Sequence, residues 1–272
     1  MKKVILAAMA MLVGLTACSN KEPQLNEKNI KKVVKAMTLE EKARLVIGTG
    51  MAGFDGSTTV IGATQDIVPG AAGTTAAIER LGIPAVVLAD GPAGLRISPT
   101  REGTTDTFYC TGFPVGTLMA CTWNTELVQQ VGKAMGNEVL EYGADVLLAP
   151  GVNIMRNPLC GRNFEYYSED PLLTGKIAAA MINGVQSNGV GTSIKHFAVN
   201  NQETNRSRND ARLSTRALRE IYLRGFEIAI KESDPWTIMT SYNLMNGTMT
   251  SEDRELLKGI VREEWGYEGM FM

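Results

Sequence analysis

The chain has 272 residues, of which 44% are hydrophobic and 21% charged, with a net charge of −2. That length fits one large domain or two small ones, and the composition is that of an ordinary globular protein. Near-neutral charge supplies no broad basic face for nucleic acid, and an aromatic content of 6% supplies no stacking platform for bases.

Residues 1–18 read as an export signal. Lys2 and Lys3 precede an apolar run from Val4 to Val13 that is too short to span a bilayer. The run closes on Leu15-Thr16-Ala17-Cys18, which resembles a bacterial lipobox, so Cys18 is the expected lipidation site. Plain secretion with nearby cleavage is the alternative. Either way the expected location is outside the cytoplasm; with the lipid, the protein is expected to be a periplasmic or outer-membrane lipoprotein whose only membrane contact is that lipid. Residues 19–28 read as a tether, and residues 29–272 as the folded domain.

A first helix is expected from about Asn29. A second is signalled by Thr38-Leu39-Glu40-Glu41, a capping-box pattern. Residues 48–76, rich in Gly, Thr and Ala, read as mostly loop. Gly48, Gly50 and Gly53 spell a dinucleotide fingerprint, but a helical pattern precedes them where a strand is required, so the match is set aside.

From residue 84 a rhythm begins. PAVVLAD (84–90), FPVGTLMA (113–120), GADVLLAPG (143–151), GTSIKHFAV (191–199), PWTIMTSYN (235–243) and GMFM (269–272) are short apolar runs that read as strands. Between them lie helical patterns over 125–142 capped by Asn124, over 171–186 capped by Asp170 with Pro171 at the first position, over 215–232, and over 252–264. Leu218, Ile221, Tyr222, Phe226 and Ala229 are expected on one helix face. Alternating strands and helices imply a parallel sheet, and runs without in–out alternation imply burial on both faces.

Polar residues gather where these runs end: Asp90, then Asn153, Arg156 and Arg162, then Lys195 and His196, then Ser241, Tyr242 and Asn243. A (β/α)8 barrel brings all such ends to one rim, whereas a doubly wound sheet spreads them along an edge. His196 is the sole histidine, and a lysine inside an apolar strand is costly to bury without a partner. Cys110, Cys121 and Cys160 lack paired metal-ligand spacing, so no metal is expected. A Cys110–Cys121 disulfide and free thiols both remain open.

The stretches ADGPAGLR, NIMRNPLCGRNFEYYSEDP, GTSIKHFAVNNQETNR, TIMTSYNLMNG and EEWGYEGMFM, in this order, resemble the N-terminal barrel domain of glycoside hydrolase family 3, the β-glucosidase and β-xylosidase group. The resemblance implies a TIM-type (β/α)8 barrel, incomplete at its C-terminus, and no cofactor. It implies that Asp90 accepts hydrogen bonds from two sugar hydroxyls, that Arg162, Lys195 and His196 hold others, and that Tyr242 orients the nucleophile. Arg156 and Glu165 are the expected supports. A retaining mechanism is implied, with two carboxyl groups about 5–5.5 Å apart. The nucleophilic aspartate is expected just beyond Met272 in a motif such as S-D-W, and the acid/base glutamate on a following α/β sandwich domain. The chain alone is therefore expected to be inactive and poorly stable. The family branch that cleaves amino sugars carries K-H-F-P-G-H-G, whereas this chain reads KHFAVNNQETNR, which argues against that branch. The implied substrate is a terminal β-linked glucosyl or xylosyl residue of an oligosaccharide or glycoside. A non-catalytic sugar-binding surface lipoprotein is the alternative, and a purely structural protein is the third reading.

Overall fold

The structure is a computed structural model, and it describes residues 22–48 and 67–272. The export signal, Cys18 and most of the expected loop at 48–76 fall outside the described residues. Two compact units divide the described residues: 22–48 with Thr75–Ala85, and 67–74 with Val86–Met272.

The small unit contains α1 (Ile30–Ala36) and α2 (Leu39–Ile47). The capping box is present: Thr38 Oγ1 accepts from the Glu41 amide at 3.1 Å, and Glu41 Oε2 accepts from the Thr38 amide at 2.8 Å. Val33, Met37, Ile78 and Leu81 form a small core of their own. Because α2 is a helix running into Gly48, no strand precedes the glycine-rich pattern. A dinucleotide site would need one there.

The main unit holds β1 (Gly73–Thr74), β2 (Val87–Asp90), α3 (Gly116–Cys121), α4 (Thr125–Glu141), β3 (Val146–Leu148), α5 (Pro171–Gln186), β4 (Gly191–Phe197), β5 (Asp210–Ala211), α6 (Thr215–Ala217), α7 (Arg224–Ser233), β6 (Thr237–Thr240), β7 (Leu244–Met245), β8 (Thr248–Met249) and β9 (Met270–Phe271). One sheet runs in the order β1-β2-β3-β4-β6-β9. All pairs from β2 onward are parallel, with Leu88 opposite Val146, Val146 opposite Gly191, Ser193 opposite Thr237 and Thr237 opposite Met270. The parallel strands follow one another in chain order, with no reversal. That is the order of a TIM-type barrel and not of a doubly wound sheet, and the described residues form part of one.

Four expectations are corrected. Residues 113–120 are not a strand: Val115 is extended and α3 begins at Gly116. Its sequence GTLMAC lacks the β-branched density of a strand, and Leu, Met and Ala favour helix. The expected helix over 215–232 is interrupted by a π-turn at Leu218–Tyr222, where the Leu223 amide reaches back to the Leu218 carbonyl. The extra residue rotates the face, so Leu218, Tyr222, Phe226 and Ala229 are buried while Ile221 is 40% exposed. Strand β2 does alternate, with Val87 and Ala89 buried and Leu88 and Asp90 only partly so. Finally, a second sheet, β5-β7-β8, was not expected. Its hairpin turns on Asn246-Gly247, both at positive φ (51° and 93°), the geometry that favours Asn-Gly. Cys110, Cys121 and Cys160 are free thiols.

Candidate functional site

The C-terminal ends of β2, β3 and β4 bring charged groups together. Strand β4 is buried along its whole length, and its pairing with β6 shifts register between Ile194 and Phe197. Lys195 and His196 occupy that irregular stretch. The Lys195 backbone is held from both sides by the segment after β3: its amide donates to the Pro150 carbonyl at 3.1 Å and its carbonyl accepts from the Val152 amide at 2.6 Å.

The Lys195 side chain is 2% exposed. Its Nζ donates to Asp90 Oδ1 at 2.7 Å and lies 3.8 Å from Glu165 Oε2. The first is a charge-assisted hydrogen bond, and the second is an ion pair beyond hydrogen-bond range. Asp90 Oδ2 faces Arg96 Nη1 at 3.6 Å. Burial pushes the Asp90 carboxyl up, but the charge and hydrogen bond of Lys195, with help from Arg96, hold it below its usual range.

Glu165 is 3% exposed and accepts from Arg162 Nε. It sits on a 3-10 turn, Asn163–Glu165, that is clamped from two directions. Gly116 and Gly151 allow that approach, since a Cβ at either would lie 2.8 or 2.6 Å from the Glu165 carbonyl oxygen. Thr117 Oγ1 donates to the Tyr166 carbonyl at 3.1 Å. Two carboxylates, one lysine and one arginine thus balance one another in a mostly buried cluster, as burial of charge requires.

His196 is 4% exposed, and its Nδ1 lies 2.8 Å from Tyr166 Oη. Burial, and then the positive charges of Arg162, Lys195 and Arg206, hold its pKa well below the ordinary histidine value. The ring is therefore neutral at neutral pH. Tyr166 continues into a network that sequence reasoning missed. Asn200 Nδ2 donates to Tyr166 Oη and to Glu203 Oε1, both at 2.9 Å. Arg206 Nη1 donates to Glu203 Oε2 at 3.1 Å. Asn153 Oδ1 accepts from the Asn200 amide at 2.9 Å. The missed residues all lie in NFEYYSEDP and KHFAVNNQETNR. For Asn200, Glu203 and Arg206 the signal was a dense polar run directly after a strand buried along its whole length.

Tyr242 stands 56% exposed, with the Arg206 guanidinium 4.9 Å from its ring centroid. Its neighbours are structural: Ser241 Oγ donates to the Ala198 carbonyl at 2.9 Å, and Asn243 Nδ2 donates to the same oxygen at 3.3 Å. Arg156 is exposed, and its side chain joins no hydrogen bond or ion pair of the cluster. The site therefore brings together Asp90, Arg162, Glu165, Lys195 and His196, reaches Tyr242 through Arg206, and leaves Arg156 outside. Among the described residues no group of three or more His, Cys, Asp or Glu is placed to hold a metal ion. What the cluster presents is a half-exposed carboxylate beside an imidazole and two cations. Such a set can grip a polyol through several directed hydrogen bonds.

Comparison with known proteins gives the same family from three directions. Residues 20–272 match the model of the glycosyl hydrolase family 3 N terminal domain. Beta-glucosidase A of Butyrivibrio fibrisolvens is 51% identical over 193 residues, covering 71% of this chain and 23% of that protein. The exo-alpha-(1->6)-L-arabinopyranosidase of Bifidobacterium longum is 46% identical over 243 residues, covering 88% of this chain and 29% of that protein. The structure of beta-glucosidase 3B from Thermotoga neapolitana in complex with alpha-D-glucose aligns with a TM-score of 0.85 at 57% identity, over 90% of this chain and 33% of that one. This chain thus spans about a quarter to a third of the relatives' length. With barrel-ordered strands, a cluster of charged and polar side chains at their C-terminal ends and a family match over 20–272, the chain belongs to glycosyl hydrolase family 3, as its N terminal domain.

Proposed function

We propose that this chain builds the sugar-gripping rim of a retaining glycoside hydrolase that removes terminal β-linked glucosyl or xylosyl residues. The observation that carries the reading is the contact of Lys195 with Asp90 at 2.7 Å, joined by Glu165 and Arg162 and flanked by neutral His196. A buried lysine held by two carboxylates is costly, and a barrel's strand ends are where binding machinery sits. Asp90 accepts from two adjacent hydroxyls, while Lys195, Arg162 and His196 donate to others. Support for a ligand of this size comes from the Thermotoga relative, solved with glucose. The arabinopyranosidase relative acts on a sugar that lacks the hydroxymethyl group, which suits a grip centred on the ring hydroxyls.

In this reading the nucleophilic aspartate and the acid/base glutamate come from sequence following Met272, and Arg206 holds the ring of Tyr242 beside the nucleophile. Export through residues 1–18 with lipid on Cys18 completes the proposal. The test is hydrolysis of an aryl β-glucoside by a protein extended beyond Met272 through the following domain. Asp90→Asn should lower kcat/KM by about 10- to 100-fold, the loss expected for one hydrogen bond to a charged group. Unchanged kcat/KM in that variant, or no glycosidase activity in the extended protein, would refute the reading.

A further inference from the structure

The network behind His196 has a direction. Arginine only donates, so Arg206 Nη1 fixes Glu203 Oε2 as an acceptor. The other oxygen of that carboxylate, Oε1, faces the Asn200 side chain at 2.9 Å. A carboxylate cannot donate, so the group facing it must be the Asn200 NH2 and not its oxygen. This settles an amide orientation that bond lengths alone leave open. An NH2 group has two protons. One goes to Glu203 and the other to Tyr166 Oη, also 2.9 Å away. Tyr166 Oη therefore accepts from Asn200. Its own single proton has one remaining partner, His196 Nδ1 at 2.8 Å.

From this chain of donors we infer that Arg206, Glu203, Asn200 and Tyr166 together fix the tautomer of His196, leaving Nδ1 as acceptor and placing the ring proton on Nε2. Among the described residues Nε2 makes no hydrogen bond, and it is not one of their sealed, unpartnered side-chain atoms. It is therefore open to solvent. Toward a ligand His196 is thereby a one-way donor: it offers an N–H to an oxygen lone pair and accepts nothing from it. Buried Tyr166 supports this role, because burial raises its phenol pKa and keeps it a donor. Tyr166, Asn200 and Glu203 are positioning residues, acting on a ligand only through the imidazole. That the ligand is a sugar rests on the function proposed above; the tautomer does not.

The chain contains a single histidine, so its ring nitrogens can be read without overlap. The experiment is a long-range proton–nitrogen correlation spectrum of the 272-residue chain labelled with 15N-histidine, at neutral pH. An unprotonated Nδ1 and a protonated Nε2 are expected. In a sample whose dispersed amide spectrum shows it folded, or in the protein extended beyond Met272 with His196 assigned by its loss in His196→Gln, a protonated Nδ1, an imidazolium, or rapid averaging of the two tautomers would overturn the inference. Asn200→Asp sharpens it. A carboxyl oxygen would replace the NH2 facing Tyr166, the phenol would donate to it, and the proton on His196 should move to Nδ1. A purely structural role for Asn200 predicts no such inversion, and an Asn200→Asp spectrum that keeps the proton on Nε2 would count against the relay. Glucose added to the unmodified chain should shift the Nε2 resonance. A correct tautomer that ignores glucose upholds the relay and counts against sugar binding.

Discussion

In the small unit, Arg80 donates to Glu41 through two nitrogens, at 2.6 and 2.5 Å, and to Glu22 at 2.8 Å. In the main unit, Lys195 reaches Asp90 at 2.7 Å and Glu165 at 3.8 Å. The chemistry is alike, one cation between two carboxylates, but the settings differ. The Arg80 side chain is 34% exposed and Glu22 48%, whereas Lys195 and Glu165 are each 2% exposed. The first cluster reinforces a helix start: the hydrogen bonds of Arg80 and Thr38 hold the Glu41 carboxyl down to about 2. Water screens it, and such pairs add little to stability. In the second, Lys195 and Glu165 have given up their hydration while Asp90 stays 32% exposed, and each buried charge depends on the others. A fold has no need to bury a lysine at a strand end when an apolar residue would pack. The burial points to a ligand.

That contrast can be broken by mutation, and the largest effect is expected at the buried cluster. Lys195→Met leaves Asp90 and Glu165 facing each other without their central cation. Stability should fall by about 3–5 kcal/mol in urea unfolding, and sugar binding should be lost. A loss below about 1 kcal/mol, the range of exposed pairs, would place this cluster in the same class as the exposed one.

The next effect concerns pH. An unfolded histidine takes up a proton near ~6.5, while folded His196 resists it because of burial and the charges of Arg162, Lys195 and Arg206. Those cations are in turn paired, Arg162 with Glu165, Lys195 with Asp90 and Arg206 with Glu203, and Tyr166 contributes a neutral phenol. Below that pH the unfolded state binds more protons, so stability should drop by ~1.4 kcal/mol per pH unit until the folded group titrates. Asp90 acts in the same sense at lower pH. Its folded carboxyl lies below the usual range, so its contribution is present above the unfolded value and lost as pH falls through the folded one. Urea unfolding at pH 7 and pH 5 checks this, and His196→Gln should remove most of the slope between them. An unchanged slope would mean that His196 is not the group responsible.

The smallest effect belongs to the exposed cluster. Arg80→Ala should lower Tm slightly, less so at high salt, and leave glucose binding where it was. A change in glucose affinity would show that the two clusters are not separate in function.

How much of this was legible beforehand depended on whether a signal was local. Asp170-Pro171 and Asn124 announced their helices because capping needs only neighbours in sequence, and the Asp170 and Asn124 side chains accept from the first-turn amides as expected. Lys195 and His196 were visible because a lysine stands out in an apolar strand. The π-turn at Leu218–Tyr222 was not visible, since one inserted residue leaves the apolar count unchanged and only rotates it. The Asn246-Gly247 hairpin was visible in principle, but its two-residue strands are too short to show a pattern. Tyr166, Asn200, Glu203 and Arg206 were individually ordinary. Their meaning lies in which atom donates to which, and that appears only when residues 30 or more apart in sequence are placed within 3 Å.

The most direct test of the central claim is a crystal structure, with glucose bound, of a protein containing this chain. The account predicts a pyranose at the C-terminal ends of β2, β3 and β4, with adjacent hydroxyls on the Asp90 carboxylate and another accepting from His196 Nε2. Glucose held elsewhere, with Asp90 and Lys195 bonded only to each other, would contradict it.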